Sequence, residues 1–177
     1  MDWKRSMRGA RYHEAGHAVA AYHHGYTITA VVATDEEWGT NWRRPDLGGP
    51  VDAWRDACVT LAGQFADHVA AWGEMRPEPW EEFVGDAETV REMVEYGDED
   101  ARDDHLAILE HLEEMASYSG DSLEACYLEV VEDTRKLVSE HWAEIEAVAR
   151  ALERTGILDG PAFTRTMEPL VRGGVEE

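Results

Sequence analysis

His13 and His17 stand four residues apart in RYHEAGHAVAAY, the run from Arg11 to Tyr22. On an α-helix that spacing puts both side chains on one face, about one turn apart. Two imidazoles can then aim at a single point. Zinc uses such an arrangement: it takes nitrogen ligands at roughly 2.0–2.1 Å, and a catalytic site adds a third protein ligand and leaves a fourth position open. Glu14 follows His13 directly and falls at the rim of the same face. It is placed to take a proton from the water a metal activates, rather than to ligate the metal. Together these residues spell His13-Glu14-Ala15-Gly16-His17, the H-E-x-x-H pattern.

So short a motif also arises by chance, and its surroundings have to support it. Ala10, Tyr12, Ala15, Ala18, Val19, Ala21 and Tyr22 either favour a helix or can pack against one. Gly16 costs about 1 kcal/mol in a helix interior and points to the close approach of another backbone or a ligand. The bland alternative is two surface histidines on a helix. His23 offers a rival third ligand, because its distance from His17 matches H-E-x-x-H-x-x-G-x-x-H. Ala20 stands where that pattern needs a glycine to turn the chain, so the helix continues and His23 faces away. His24 sits too far along. Both read as helix-end histidines favoured by the helix dipole. His68, His105, His111 and His141 lie in acidic helical stretches and call for no special role.

The run HEAGHAVAAY resembles the metal-binding helix of the FtsH-type zinc peptidases, the protease half of a family of ATP-dependent proteases. Their pattern continues with L-A-G-x-x-A-E, and here Leu61-Ala62-Gly63-Gln64-Phe65-Ala66-Asp67 follows it with Asp in the last place. The C-terminal run LVSEHWAEIEAVARALERTGILDG is similar to the family's last helix and its ending. The likeness spans about residues 10–165, specific at the motif and looser elsewhere. It implies a helical, zincin-like metalloprotease domain, mainly α (α+β), with a small β element after the motif helix. It also implies one zinc per chain, held by His13, His17 and an Asp at a helix start further on. Asp86, after Gly85, fits that position, with Glu82 or Glu88 in its place if the register shifts. Ala87 departs from the leucine that follows the ligand in the family. Asp86 read without the resemblance is an N-cap, a role Asp favours.

Around the motif, residues about 3–24 predict a helix ended by Gly25, and the β-branched run 26–34 a strand. In zinc peptidases of this design such an edge strand binds extended substrate through its main chain. Residues 35–50, with Trp38 and Trp42, read as a loop long enough to be a lid. The tryptophans either line a subsite or, the favoured reading, staple the loop down. Val51, Trp54, Cys58, Leu61, Ala62, Phe65, Val69 and Trp72 give residues 51–72 one apolar helical face. A second loop at 73–85 contains Pro77 and Pro79. A short helix to about Tyr96, a break at Gly97-Asp98 and a helix at 99–118 follow. Asp121 with Glu124 suggests a capping box for one long helix at 122–154, stopped by Gly156, and a last helix follows Pro161.

At 177 residues the chain suits one domain. Its 16 basic and 38 acidic residues give a net charge of −22, a surface that repels nucleic acid and anionic membranes. Cys58 and Cys126 form no C-x-x-C and read as small buried hydrophobes. No secretory signal, membrane span or nucleotide-binding glycine loop is legible, so the expectation is a cytoplasmic, free-standing peptidase domain. Its substrate would be an unstructured peptide segment or a protein delivered by a partner. A homo-oligomer or a separate unfoldase is left open by the sequence. Two other readings stand beside it: a small regulatory zinc peptidase with a single protein substrate, and an inactive metal-binding scaffold for protein–protein contact.

Overall fold

The computed structural model describes residues 7–45, 50–72, 87–96 and 99–173. It is mainly helical, with seven helices and a three-stranded antiparallel sheet among those residues. Helix α1 (Met7–His23) carries the motif and lies at the centre. Every residue from Glu14 to Ala21 is buried. A helix covered on all its faces belongs inside a domain, and Ala15, Ala18, Ala20 and Ala21 let neighbours approach it closely. Gly16 is the extreme case. A Cβ there would lie 2.5 Å from the Ala62 carbonyl oxygen and 2.7 Å from the Ala66 Cβ. The close approach expected of Gly16 is thus with the backbone of α2 (Pro50–Trp72).

After Gly25, whose φ of 85° suits glycine, the chain forms β1 (Thr27–Ala33) and then β2 (Trp38–Arg43). The second strand corrects the expectation of a loop over 35–50. Thr34 builds the turn, its hydroxyl accepting the backbone N–H groups of Glu36 and Glu37. Thr27 then faces Arg43 and Ala33 faces Trp38, with an irregularity between Ile28 and Ala30. Trp42 packs on the core as a staple would, whereas Trp38 is exposed. A third strand, β3 (Ile157–Asp159), is too short to show a period in sequence. It pairs with the other side of β1, Val31 facing Leu158. The order β2-β1-β3 makes β1 central. Its hydrogen-bonding edges are taken, so the edge expected there is not open, and the edges without a strand partner among the described residues are those of β2 and β3.

The remaining helices are α3 (Ala87–Tyr96), α4 (Glu99–Ser119), α5 (Leu123–Glu140), α6 (Trp142–Thr155) and α7 (Gly160–Gly173). The single helix expected over 122–154 is two helices, broken at His141. The His141 N–H closes α5 on the Leu137 carbonyl, and its own carbonyl accepts from Glu144 and Ile145 to start α6. Ser122, not Asp121, caps α5, its hydroxyl accepting the Ala125 N–H at 3.1 Å. Gly156 ends α6 at φ 71°, as read.

The core joins α1, α2, α4, α5 and α6 through fully buried Val19, Phe65, Ile108, Leu112, Tyr127 and Ile145. Each such side chain contributes about 1.5–3 kcal/mol over its exposed state. Val51 and Trp72, at the ends of the face read for α2, are exposed. Cys58 and Cys126 are buried and free, and burial pushes the Cys58 thiol up to about 12. The proline loop at 73–85, Asp86, Glu82 and the break at Gly97-Asp98 lie outside the described residues. No helix among the described residues is long and apolar enough to cross a membrane.

Candidate metal centre

The two motif histidines converge as their spacing requires. Their Nε2 atoms lie 3.0 Å apart, and their rings meet edge to face at 86°. Helix α2 fixes the orientation of His17. The His17 Nδ1–H donates to the Val59 carbonyl at 2.8 Å, so that Nε2, which faces His13, is the nitrogen whose lone pair is available once the ring is neutral. Gly63 provides the room, since a Cβ there would come within 2.4 Å of that nitrogen. The Leu61-Ala62-Gly63 run is therefore the wall against which the ligand is set.

A carboxylate completes the group, and it comes from α4. Asp104 Oδ2 is 3.0 Å from His13 Nε2 and 3.7 Å from His17 Nε2. His13, His17 and Asp104 are close enough together to hold a metal ion. The separations of 3.0, 3.0 and 3.7 Å put the three atoms on a circle of about 1.9 Å radius, slightly less than the roughly 2.0–2.2 Å over which nitrogen and carboxylate oxygen bind a small divalent ion. His13, His17 and Asp104 would together hold such an ion through three protein ligands.

The electrostatics favour a cation at this point. Burial disfavours a charged His17, but the Asp104 hydrogen bond and charge, with the charge of Glu14, outweigh it and lift the imidazole to about 9. Burial likewise opposes ionisation of Asp104, yet the two imidazoles hold its carboxyl well below the usual range. Glu14 is buried, and its carboxylate is held from the sheet. The Thr40 hydroxyl of β2 lies 2.8 Å from Glu14 Oε2 and 3.0 Å from the Glu14 backbone carbonyl.

The structure thus brings together His13, Glu14 and His17 from the sequence reading. Asp86 falls outside the described residues. Ala87, next to it, opens α3 by donating its N–H to Glu124 Oε2 at 3.0 Å. Glu88 is on the surface, paired with Arg91. His23 faces away from the motif, as Ala20 implied, and contacts α6 instead.

Asp104 was hidden by its neighbours, one acid in the run Glu99-Asp100-Ala101-Arg102-Asp103-Asp104. A subtler signal existed. Asp104, Ile108, Leu112 and Met115 share a helical stripe, and the last three are buried. A carboxylate on an apolar stripe must have a partner.

Fold and site together define the class: a mainly helical domain with a small antiparallel sheet and a candidate metal centre on its central helix. No protein-family model matches the chain, and no curated protein does either.

Proposed function

We propose that this protein is a zinc-dependent endopeptidase of zincin-like design, with His13, His17 and Asp104 as the metal ligands and Glu14 as the general base. The convergence of His13 Nε2, His17 Nε2 and Asp104 Oδ2 carries the reading. Two imidazoles and one carboxylate are a donor set zinc accepts, and three protein ligands with a free position are the pattern of a catalytic site. When bound there, zinc polarises a carbonyl and brings the pKa of water towards ~7.

The chain's own residues divide the remaining work. The Glu14 carboxylate has no place among the three ligand atoms, so Glu14 can take up a proton and return it to the leaving amine. Thr40 holds that carboxylate in one orientation. The edge of β2 that has no strand partner among the described residues, on the same strand as Thr40, offers main-chain groups to an extended peptide. That placement suits unstructured segments, or a protein unfolded by a partner, better than a folded surface.

The deciding experiment combines metal analysis with protein digestion. The chain loaded with one equivalent of zinc should cleave an unfolded protein such as casein, lose activity to a chelator and regain it with zinc. His13→Ala and His17→Ala should each lose the tightly held zinc and the activity together. A chain that binds zinc at this centre but cleaves no unfolded protein would favour the metal-binding scaffold.

A further inference from the structure

The two tryptophans of β2 part company in the folded chain. Strand alternation puts Trp38, Thr40 and Trp42 on one face. That face is turned to α1, since Thr40 reaches the Glu14 carboxylate from it. Trp42 packs on the core, whereas Trp38 is the exposed member of the three, at 42%. A single exposed indole means little on its own; its place gives it a duty. Trp38 lies two residues, about 7 Å along the strand, from the residue that touches Glu14. Its pair on β1 is Ala33, too small to cover an indole. Between Trp38 and Thr40, Gly39 leaves the backbone bare, and a Cβ there would meet nothing within 4 Å.

We propose that Trp38 sets the side-chain preference of this site, selecting extended peptides that carry an aromatic or other bulky apolar residue opposite it. Such a preference rests on the reading of the site as a peptidase and names its substrate class. A peptide added to the edge of β2 that lacks a strand partner among the described residues takes up the pitch of β2. Side chains directly opposite one another in such a pair stand on the same face, about 4.5–5.5 Å apart. The peptide residue opposite Thr40 then lies nearest Glu14. The next peptide residue on that face, two positions along, meets the indole. Aromatic and β-branched side chains make the favourable cross-strand pairs with an aromatic, while a small or charged residue gains nothing there. Asp35, Glu36 and Glu37 are exposed just before Trp38 and repel a carboxylate beyond that position. The favoured segment is therefore apolar opposite Trp38 and neutral or basic past it.

Unstructured peptides that share one cleavable bond, with Phe or Ala placed in turn at each position around it, read the preference directly. With the zinc-loaded chain one position, two or three residues from the bond, should favour Phe over Ala about two- to tenfold in kcat/KM, carried by KM. Trp38→Ala should erase that ratio and Trp38→Phe should keep most of it, each with native zinc content and melting temperature. The Glu14→Gln chain reads binding without turnover. It should hold a fluorescent Phe peptide more tightly than its Ala counterpart by a similar factor, and E14Q/W38A should hold the two equally. A Phe preference that survives Trp38→Ala, or no preference at any such position, overturns the proposal and leaves the peptidase standing. No cleavage by the zinc-loaded chain, with the Trp38-dependent binding intact, overturns the peptidase reading alone. With neither cleavage nor that binding, both fall.

Discussion

Two clusters, each of two histidines and a carboxylate, meet α1 at its middle and at its C-terminal end. His13, His17 and Asp104 cross rings edge to face, and His17 is pinned from behind by the Val59 carbonyl. His23, His141 and Glu144 stack their rings in parallel at a helix corner, with no backbone carbonyl behind either imidazole among the bonds observed. Only the first has a buried carboxylate outside the ligand set, steadied by a hydroxyl from an edge strand. What sets the first apart is a buried carboxylate outside the three converging atoms and the edge of β2 beside it.

The sharpest way to break this comparison is to remove the base. Glu14→Gln keeps shape and ligands but cannot take up the proton, so hydrolysis of unfolded protein should fall by about 10³-fold or more while zinc content stays at the native level. Equal digestion by both proteins would assign the activity to something other than this centre.

The third ligand comes next. Asp104→Ala should weaken zinc at the first centre by about 100-fold or more, because it removes a ligand and not only a neighbour of one. Asp86→Ala should leave zinc affinity close to native. The reverse outcome, measured with a competing chelator, would return the role to Asp86 and leave Asp104 as an ion-pair partner of the apo centre.

Gly63 tests whether α2 positions the ligand. A methyl group at Gly63 would press on the His17 ring, and Gly63→Ala should cost about 1–3 kcal/mol of stability through overpacking. Urea unfolding reads this directly. An unchanged midpoint would mean that His17 has freedom the packing does not suggest.

The smallest effect is expected at Thr40. Thr40→Val deletes one hydrogen bond to Glu14, a loss of about 1–1.5 kcal/mol and hence roughly tenfold in kcat, with zinc content and KM unchanged. Thr40→Ser should restore most of the rate. A change in KM with kcat intact would instead place Thr40 in peptide binding.

Much of this was written in local sequence. The spacing of His13 and His17 determined that they meet, because helix geometry leaves no choice. Gly16 announced a close neighbour, and Gly156 an αL stop, since each position tolerates little else. The β-branched run placed β1. Tertiary structure decided what depended on distant partners. β2 hid because Gly39, Asn41 and Arg43 interrupt the strand-favouring alternation of Trp38, Thr40 and Trp42, and pairing with β1 decides the strand. The break at His141 falls inside an unbroken helical pattern, because the turn is set by how α5 and α6 pack and not by any breaker residue. Asp104 is the plainest case. Only its place on the Ile108-Leu112-Met115 stripe marks it out among its acidic neighbours, and it becomes a candidate ligand because α4 packs against α2 and carries it, 91 positions along the chain, to His13. A helix can bring together residues one turn apart; only the folded core can bring together residues that far apart.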